Sequence, residues 1–177
     1  QKAFGVDRHM GERSIPGVYD VTMLGYNYRM NEIQAVLGIE QIKRIDGFLN
    51  KRKENYETLS HGLMDISEVT QFKSSDDDYQ SSYYCLSVML KDSLVSKRCE
   101  IISCLKNNGI GTSIYYPKPV PHFSYYKGKY DYSENSFPAA AWISNSSIAL
   151  PVGPHLNKED MDYIVQLIKQ AILEVSR

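Results

Sequence analysis

The strongest constraint on the fold is one long helical stripe. Ile42, Ile45, Leu49, Arg52, Tyr56, Leu59 and Leu63 recur at alternating spacings of three and four, which sets apolar or stem-burying side chains along one helix face. Asn31 is suited to cap such a helix, and Gln34 three residues later completes a capping-box pair. A helix from Glu32 to about Ser60 would be roughly 40 Å long at 1.5 Å per residue. Gly38 and Gly47 weaken it slightly and permit close packing. Its first part, Ile33 to Ile39, is apolar around more of its circumference. That pattern predicts burial on several sides, against another domain or subunit.

The elements after the stripe are short and mixed. Val69 to Phe72 and Ser82 to Leu90 read as strands, the second central. Between them, Ser74 to Asp78 is a solvated acidic turn without companion metal ligands. Asp92 or Ser93 opens a helix to Asn107, with Val95, Cys99, Ile102 and Leu105 on its buried face and Asn108-Gly109 ending it. Ile110 to Tyr116 reads as a strand stopped by Pro117, Pro119 and Pro121. Pro138 opens a short helix from Phe137 to Ile143, and Ser147 to Leu150 is a last short strand. Asn157 caps a final helix whose stripe is Ile164, Leu167, Ile168, Ala171 and Ile172. With strands this short and connections this local, the order predicts an α+β layer, an antiparallel or mixed sheet covered by helices.

The 177 residues suffice for one domain with a core, and 42% hydrophobic with 23% charged residues is the balance of a globular protein. A net charge of −1 gives no field that would gather nucleic acid or an anionic membrane. No apolar run is long enough to span a bilayer, and no signal peptide is visible. Cys85, Cys99 and Cys104 are odd in number and lack a CxxC spacing, so neither a disulfide framework nor a zinc site is indicated. Cys99 and Cys104 are expected to pack as small hydrophobes, and a reducing cytoplasmic setting fits. Fourteen tyrosines stand against one tryptophan and five phenylalanines; phenols join apolar area to a polar tip, as binding surfaces require.

Directly before the long helix, Gly25-Tyr26-Asn27-Tyr28-Arg29-Met30-Asn31-Glu32 sets an amide, a guanidinium and two phenols at a helix N-terminus. Unpaired N–H groups and positive partial charge favour anions there, so the segment can hold a phosphate or carboxylate. An ordinary loop with an N-cap would use the same residues.

Gly25-Tyr26-Asn27-Tyr28-Arg29-Met30, continuing through Glu32, Ala35, Gly38, Gln41 and Arg52, resembles the DegT/DnrJ/StrS family. Gly109-Ile110-Gly111-Thr112, the tyrosines and prolines after it, His122 with Tyr125-Tyr126, Phe137-Pro138-Ala139-Ala140 and Leu150-Pro151-Val152 extend the resemblance in family order over nearly the whole chain. These are pyridoxal-phosphate (PLP) aminotransferases that act on nucleotide-linked keto-sugars as homodimers with active sites at the interface.

The resemblance implies a small C-terminal domain of an aspartate-aminotransferase-like fold. Residues 1–31 would end a large PLP domain, 32–62 would form a long linking helix, and 63–177 would be the small domain. The Schiff-base lysine would lie upstream, so no catalytic residue is expected here and the 177 residues alone would be inactive; a first residue Gln1 rather than Met agrees. Asn27 is implied to donate to the PLP phosphate of the neighbouring subunit. Arg29 pairs with a phosphate or substrate carboxylate, or else fixes the turn. Tyr28, Tyr115, Tyr116, Lys118 and His122 are the expected substrate contacts, with phenols to stack on sugar or base and Lys118 to meet diphosphate. His9, His61 and His155 belong to no constellation. The expected reaction is transamination of a nucleotide-diphosphate keto-sugar, with glutamate as amino donor, in polysaccharide or antigen sugar biosynthesis. Two alternatives remain open at this level: a PLP-dependent sugar dehydratase of the same family, and a non-catalytic dimerisation or binding module.

Overall fold

The computed structural model describes residues 25–26, 28–72 and 80–176. The chain divides into two compact units, Gln1–Arg44 and Ile45–Arg177.

In the first unit the described element is α1, Glu32–Ile42. The expected capping box forms: the Asn31 side chain accepts from the Gln34 N–H at 2.9 Å, and the Gln34 side chain accepts from the Asn31 N–H at 3.1 Å. The helix does not continue to Ser60 as the stripe predicts. The N–H of Arg44 reaches back three residues to the Gln41 carbonyl, which tightens the last turn, and a new helix starts at Ile45. Lys43 and Arg44 are ordinary helix formers, so nothing in the local sequence announces this break. None of the α1 residues is buried; Ile33, Val36, Leu37, Ile39 and Ile42 are exposed.

The second unit contains α2 (Ile45–Gly62), β1 (Val69–Gln71), β2 (Leu86–Leu90), α3 (Arg98–Asn107), α4 (Ser124–Tyr130), α5 (Pro138–Ser146), β3 (Ser147–Leu150) and α6 (Lys158–Val175). Among the described residues the sheet has three strands in the order β1-β2-β3, antiparallel throughout, with Val69 opposite Leu90 and Leu86 opposite Leu150. The α+β layer expected from the sequence is present, and β2 is central as read. The strand begins at Leu86 rather than Ser82, and Tyr83 within the expected run has a left-handed backbone (φ 49°) that a ladder residue does not take.

The core lies between the sheet and α2, α3 and α6. Leu59 and Leu63 meet Val88 and Leu90 of β2, Ile101 and Leu105 of α3, and Met161, Ile164, Ile168 and Ala171 of α6 in one buried cluster. Asn55 is the polar member of this region: it is buried, and its Nδ2 donates to the carbonyls of Gly153 and Leu156 at 2.9 and 3.1 Å. The α6 stripe buries as predicted, and Asn157 with Asp160 forms a second capping box.

Two expectations shift. A 3-10 turn, Asp92–Val95, precedes α3, so the helix starts later and buries Ile101 and Leu105, while Cys99 is exposed. The segment 110–116 is not a continuous strand but contributes one antiparallel bridge, Ser113 to Ala149.

Candidate functional site

The first unit carries Tyr26, Tyr28 and Arg29, all exposed, with the two phenol rings 5.8 Å apart. Asn27 lies outside the described residues. The Asn31 side chain occupies the Gln34 N–H, which leaves the N–H groups of Glu32 and Ile33 without intrahelical acceptors at the start of α1. A guanidinium, phenols and these N–H groups are all donors, the set a phosphate requires.

The second unit carries the other expected residues on the segment from Gly111 to Phe123. Ser113 ties it to β3: its N–H donates to the Ala149 carbonyl at 3.1 Å and its carbonyl accepts from the Ala149 N–H at 2.8 Å. Beyond that anchor Tyr115 and Tyr116 are exposed, their rings 5.7 Å apart and edge-on. Pro117, Pro119 and Pro121 restrict the backbone. A 3-10 turn, Val120–His122, closes the segment, and the His122 N–H donates to the Pro119 carbonyl.

The His122 ring sits 2.8 Å by Nε2 from the Ser136 carbonyl. A carbonyl can only accept, so Nε2 carries the proton and Nδ1 of the neutral ring is the acceptor. Helix α4 was not anticipated from sequence; it starts right after this turn and brings Lys127 onto Glu134. That hydrogen bond holds the Glu134 carboxyl below the usual carboxylate range, with smaller help from His122 and Lys118. Lys118, His122 and Lys127 thus present positive or donor groups around one carboxylate. Among the described residues no group of His, Cys, Asp and Glu is placed to hold a metal ion, and no helix is long and apolar enough to cross a membrane.

The model of the DegT/DnrJ/EryC1/StrS aminotransferase family matches residues 2–169. The chain belongs to this family. Within it, the chain is 30% identical over 158 residues to the spore coat polysaccharide biosynthesis protein SpsC of Bacillus subtilis, covering 87% of this chain and 40% of that protein. It is 27% identical over 148 residues to the dTDP-4-amino-4,6-dideoxy-D-glucose transaminase of Escherichia coli, covering 84% of this chain and 40% of that one. The fold is shared with Spr1654 from Streptococcus pneumoniae in its PLP-form, at a TM-score of 0.80 and 24% identity over 98% of this chain and 42% of that one. The chain therefore spans about 40% of the length of the curated relatives it matches.

In this family member the sequence reading missed two side chains beside Tyr115. Tyr84 places its hydroxyl 3.5 Å from that of Tyr115, and the Arg52 guanidinium lies over the Tyr84 ring at 5.6 Å. The visible signal was an arginine on the buried stripe of a helix, where an aliphatic residue would otherwise sit. Its partner Tyr84 lies far along the chain, in the run Ser82 to Leu90 that reads as a strand.

Proposed function

We propose that the intact protein is a PLP-dependent aminotransferase that converts a nucleotide-diphosphate keto-sugar to an amino-sugar. Glutamate is the amino donor, the working form is a cytoplasmic homodimer, and the product enters polysaccharide or antigen sugar biosynthesis. The observation that carries this reading is the continuous family match over residues 2–169. Relatives named as a polysaccharide biosynthesis protein and a dTDP-sugar transaminase support the substrate class. In such an enzyme residues 1–31 end the cofactor domain, 32–62 link it onward, and 63–177 are the small domain.

PLP, when bound, carries the amino group from donor to sugar. The lysine that anchors it is assigned to no residue of this chain. Asn27 would donate an amide N–H to the phosphate in the partner subunit's site, and Arg29 would pair with that phosphate or with a substrate carboxylate. The donor character of the segment around them fits an anion. Tyr28, Tyr115 and Tyr116 supply ring faces to sugar or base, and Lys118 meets the diphosphate. His122 accepts from a sugar hydroxyl through Nδ1, its Nε2 being held on Ser136.

The test is turnover by the intact, PLP-loaded protein with glutamate and a dTDP- or UDP-linked 4-keto-6-deoxy sugar. Mass spectrometry should show the sugar amine and 2-oxoglutarate in equal amounts. Loss of a sugar hydroxyl without amine formation would replace transamination by dehydration. Absence of both PLP retention and turnover would replace catalysis by a binding role.

A further inference from the structure

Within the Lys51-Arg52-Lys53 run, Arg52 is the basic residue whose charge is left unmatched among the described residues. Lys51 pairs with Glu54 and Lys53 with Glu57, both exposed, as ordinary helix-surface pairs. Arg52 is half-buried, and among the described residues it takes part in no ion pair. Its Nε is fully buried with no hydrogen-bond partner. A buried donor without an acceptor is unfavourable and the charge beside it has no counter-ion among the described residues, so an anion meeting the unburied part of the guanidinium would offset that cost.

The surroundings hold the guanidinium in a defined pose. Its carbon lies 5.6 Å from the centroid of the Tyr84 ring, a cation–π arrangement; with Nε buried, the two terminal Nη groups are the donors left to a ligand. Tyr56, one helical turn beyond Arg52, packs edge-on against Tyr83 at 5.3 Å. Consecutive tyrosines thus clamp consecutive turns of α2. This needs the left-handed backbone at Tyr83 (φ 49°), a strained conformation for a non-glycine residue. The Tyr84 hydroxyl is 3.5 Å from that of Tyr115, and the Tyr84, Tyr115 and Tyr116 rings form a chain with centroid separations of 6.0 and 5.7 Å. All three rings are open to solvent. A cation against the first ring of a chain of exposed phenols suits a phosphorylated, ring-bearing ligand.

We propose that Arg52, with Tyr84 and Tyr115, is a phosphate-binding corner that takes the diphosphate of the nucleotide-linked sugar. This assignment rests on the sugar-nucleotide reading above. Arg52 grips phosphate oxygens through its free edge, the Tyr84–Tyr115 pair donates one hydroxyl proton, and Tyr116 offers a face to the base or sugar. No covalent step occurs at this corner; it fixes where the sugar end lies.

The probes are UDP, dTDP and inorganic pyrophosphate, titrated calorimetrically into the intact, PLP-loaded protein. Arg52→Met should weaken UDP or dTDP and pyrophosphate binding about tenfold or more, as expected for a lost charged hydrogen bond. Arg52→Lys should recover only part, because an ammonium lacks the bidentate fork. Tyr84→Leu, at an exposed position, provides an independent arm if Arg52→Met fails to fold, and should weaken the same probes. Wild-type affinity in a folded Arg52→Met, or in Tyr84→Leu when Arg52→Met is unfolded, overturns the proposal, as does absence of all probe binding in the wild type. The two readings separate cleanly. Sugar turnover with an unchanged KM in Arg52→Met refutes the corner alone. Arg52-dependent pyrophosphate binding without sugar turnover refutes the sugar reading and leaves the corner.

Discussion

His122 donates its Nε2 proton to the Ser136 carbonyl at 2.8 Å, which fixes both the tautomer and the plane of the imidazole. The bond joins the turn after Pro119 to the segment beyond α4, so one side chain bridges the two ends of the helix's excursion. It also decides which nitrogen can face a ligand. In the proposed enzyme, His122→Ala should raise KM for the sugar nucleotide about tenfold and leave KM for glutamate near its wild-type value, the cost of one net hydrogen bond. Steady-state kinetics with each substrate varied in turn checks this. Equal rises for both substrates would make His122 a structural brace.

Asn55 shows a buried amide acting in place of a longer secondary structure. Its Nδ2 donates to the carbonyls of both Gly153 and Leu156 in the turn leading to α6. Replacing Asn55 by Leu keeps the volume and strips both carbonyls of this donor. Urea unfolding should show a loss of about 2–4 kcal/mol, from the usual penalty for stranding buried polar groups. A loss below about 0.5 kcal/mol, the level of an ordinary surface substitution, would mean the turn is held by its own backbone.

Gly62 sets the approach of α2 to α6. A Cβ built there would lie 2.7 Å from Cγ2 of Val165, a distance real side chains do not tolerate. Gly62→Ala should therefore destabilise by about 1–3 kcal/mol through overpacking, although alanine is the better helix former. The double variant with Val165→Ala should recover part of the loss, because the clashing methyl is gone. Additive losses in the two single variants would place the strain elsewhere.

How much of the fold was legible depends on how far each signal reaches along the chain. The α6 cap, Asn157 with Asp160, and the strand Ser147–Leu150 depend on neighbours within a few residues, and both appear as read. The end of α1 depends on backbone bonds around Lys43 and Arg44, residues that would suit a continuous helix equally well. The run from Ile110 to Tyr116 has the composition of a strand, yet it pairs with β3 only at Ser113 before the prolines redirect it. Of the candidate site, Tyr115 and Tyr116 were visible as aromatic residues beside prolines. The meeting of Arg52 with Tyr84 was not, because it requires the left-handed turn at Tyr83, and no pattern in the sequence announces a non-glycine residue there.

The Lys127–Glu134 pair gives the segment around His122 a small acid-sensitive contribution, small because both side chains are exposed. Glu134 is depressed below the ordinary carboxylate range, first by its hydrogen bond from Lys127, then by that lysine's charge, with smaller effects from His122 and Lys118. A depressed carboxyl favours the folded arrangement when pH lies above the unfolded carboxylate value. That contribution fades as pH falls through the folded value. The segment should therefore hold its neutral-pH geometry through mild acid and loosen only below the normal carboxylate range. NMR titration of the Glu134 side chain should give a midpoint below that of a free glutamate. Lys127→Met should move it upward, toward the ordinary value. The residual depression left by His122 and Lys118 should then shrink in high salt, since the pair is exposed and such charges are screened. A Glu134 midpoint unmoved by Lys127→Met would remove the pair as the cause and, with it, the link between acid and the geometry of His122.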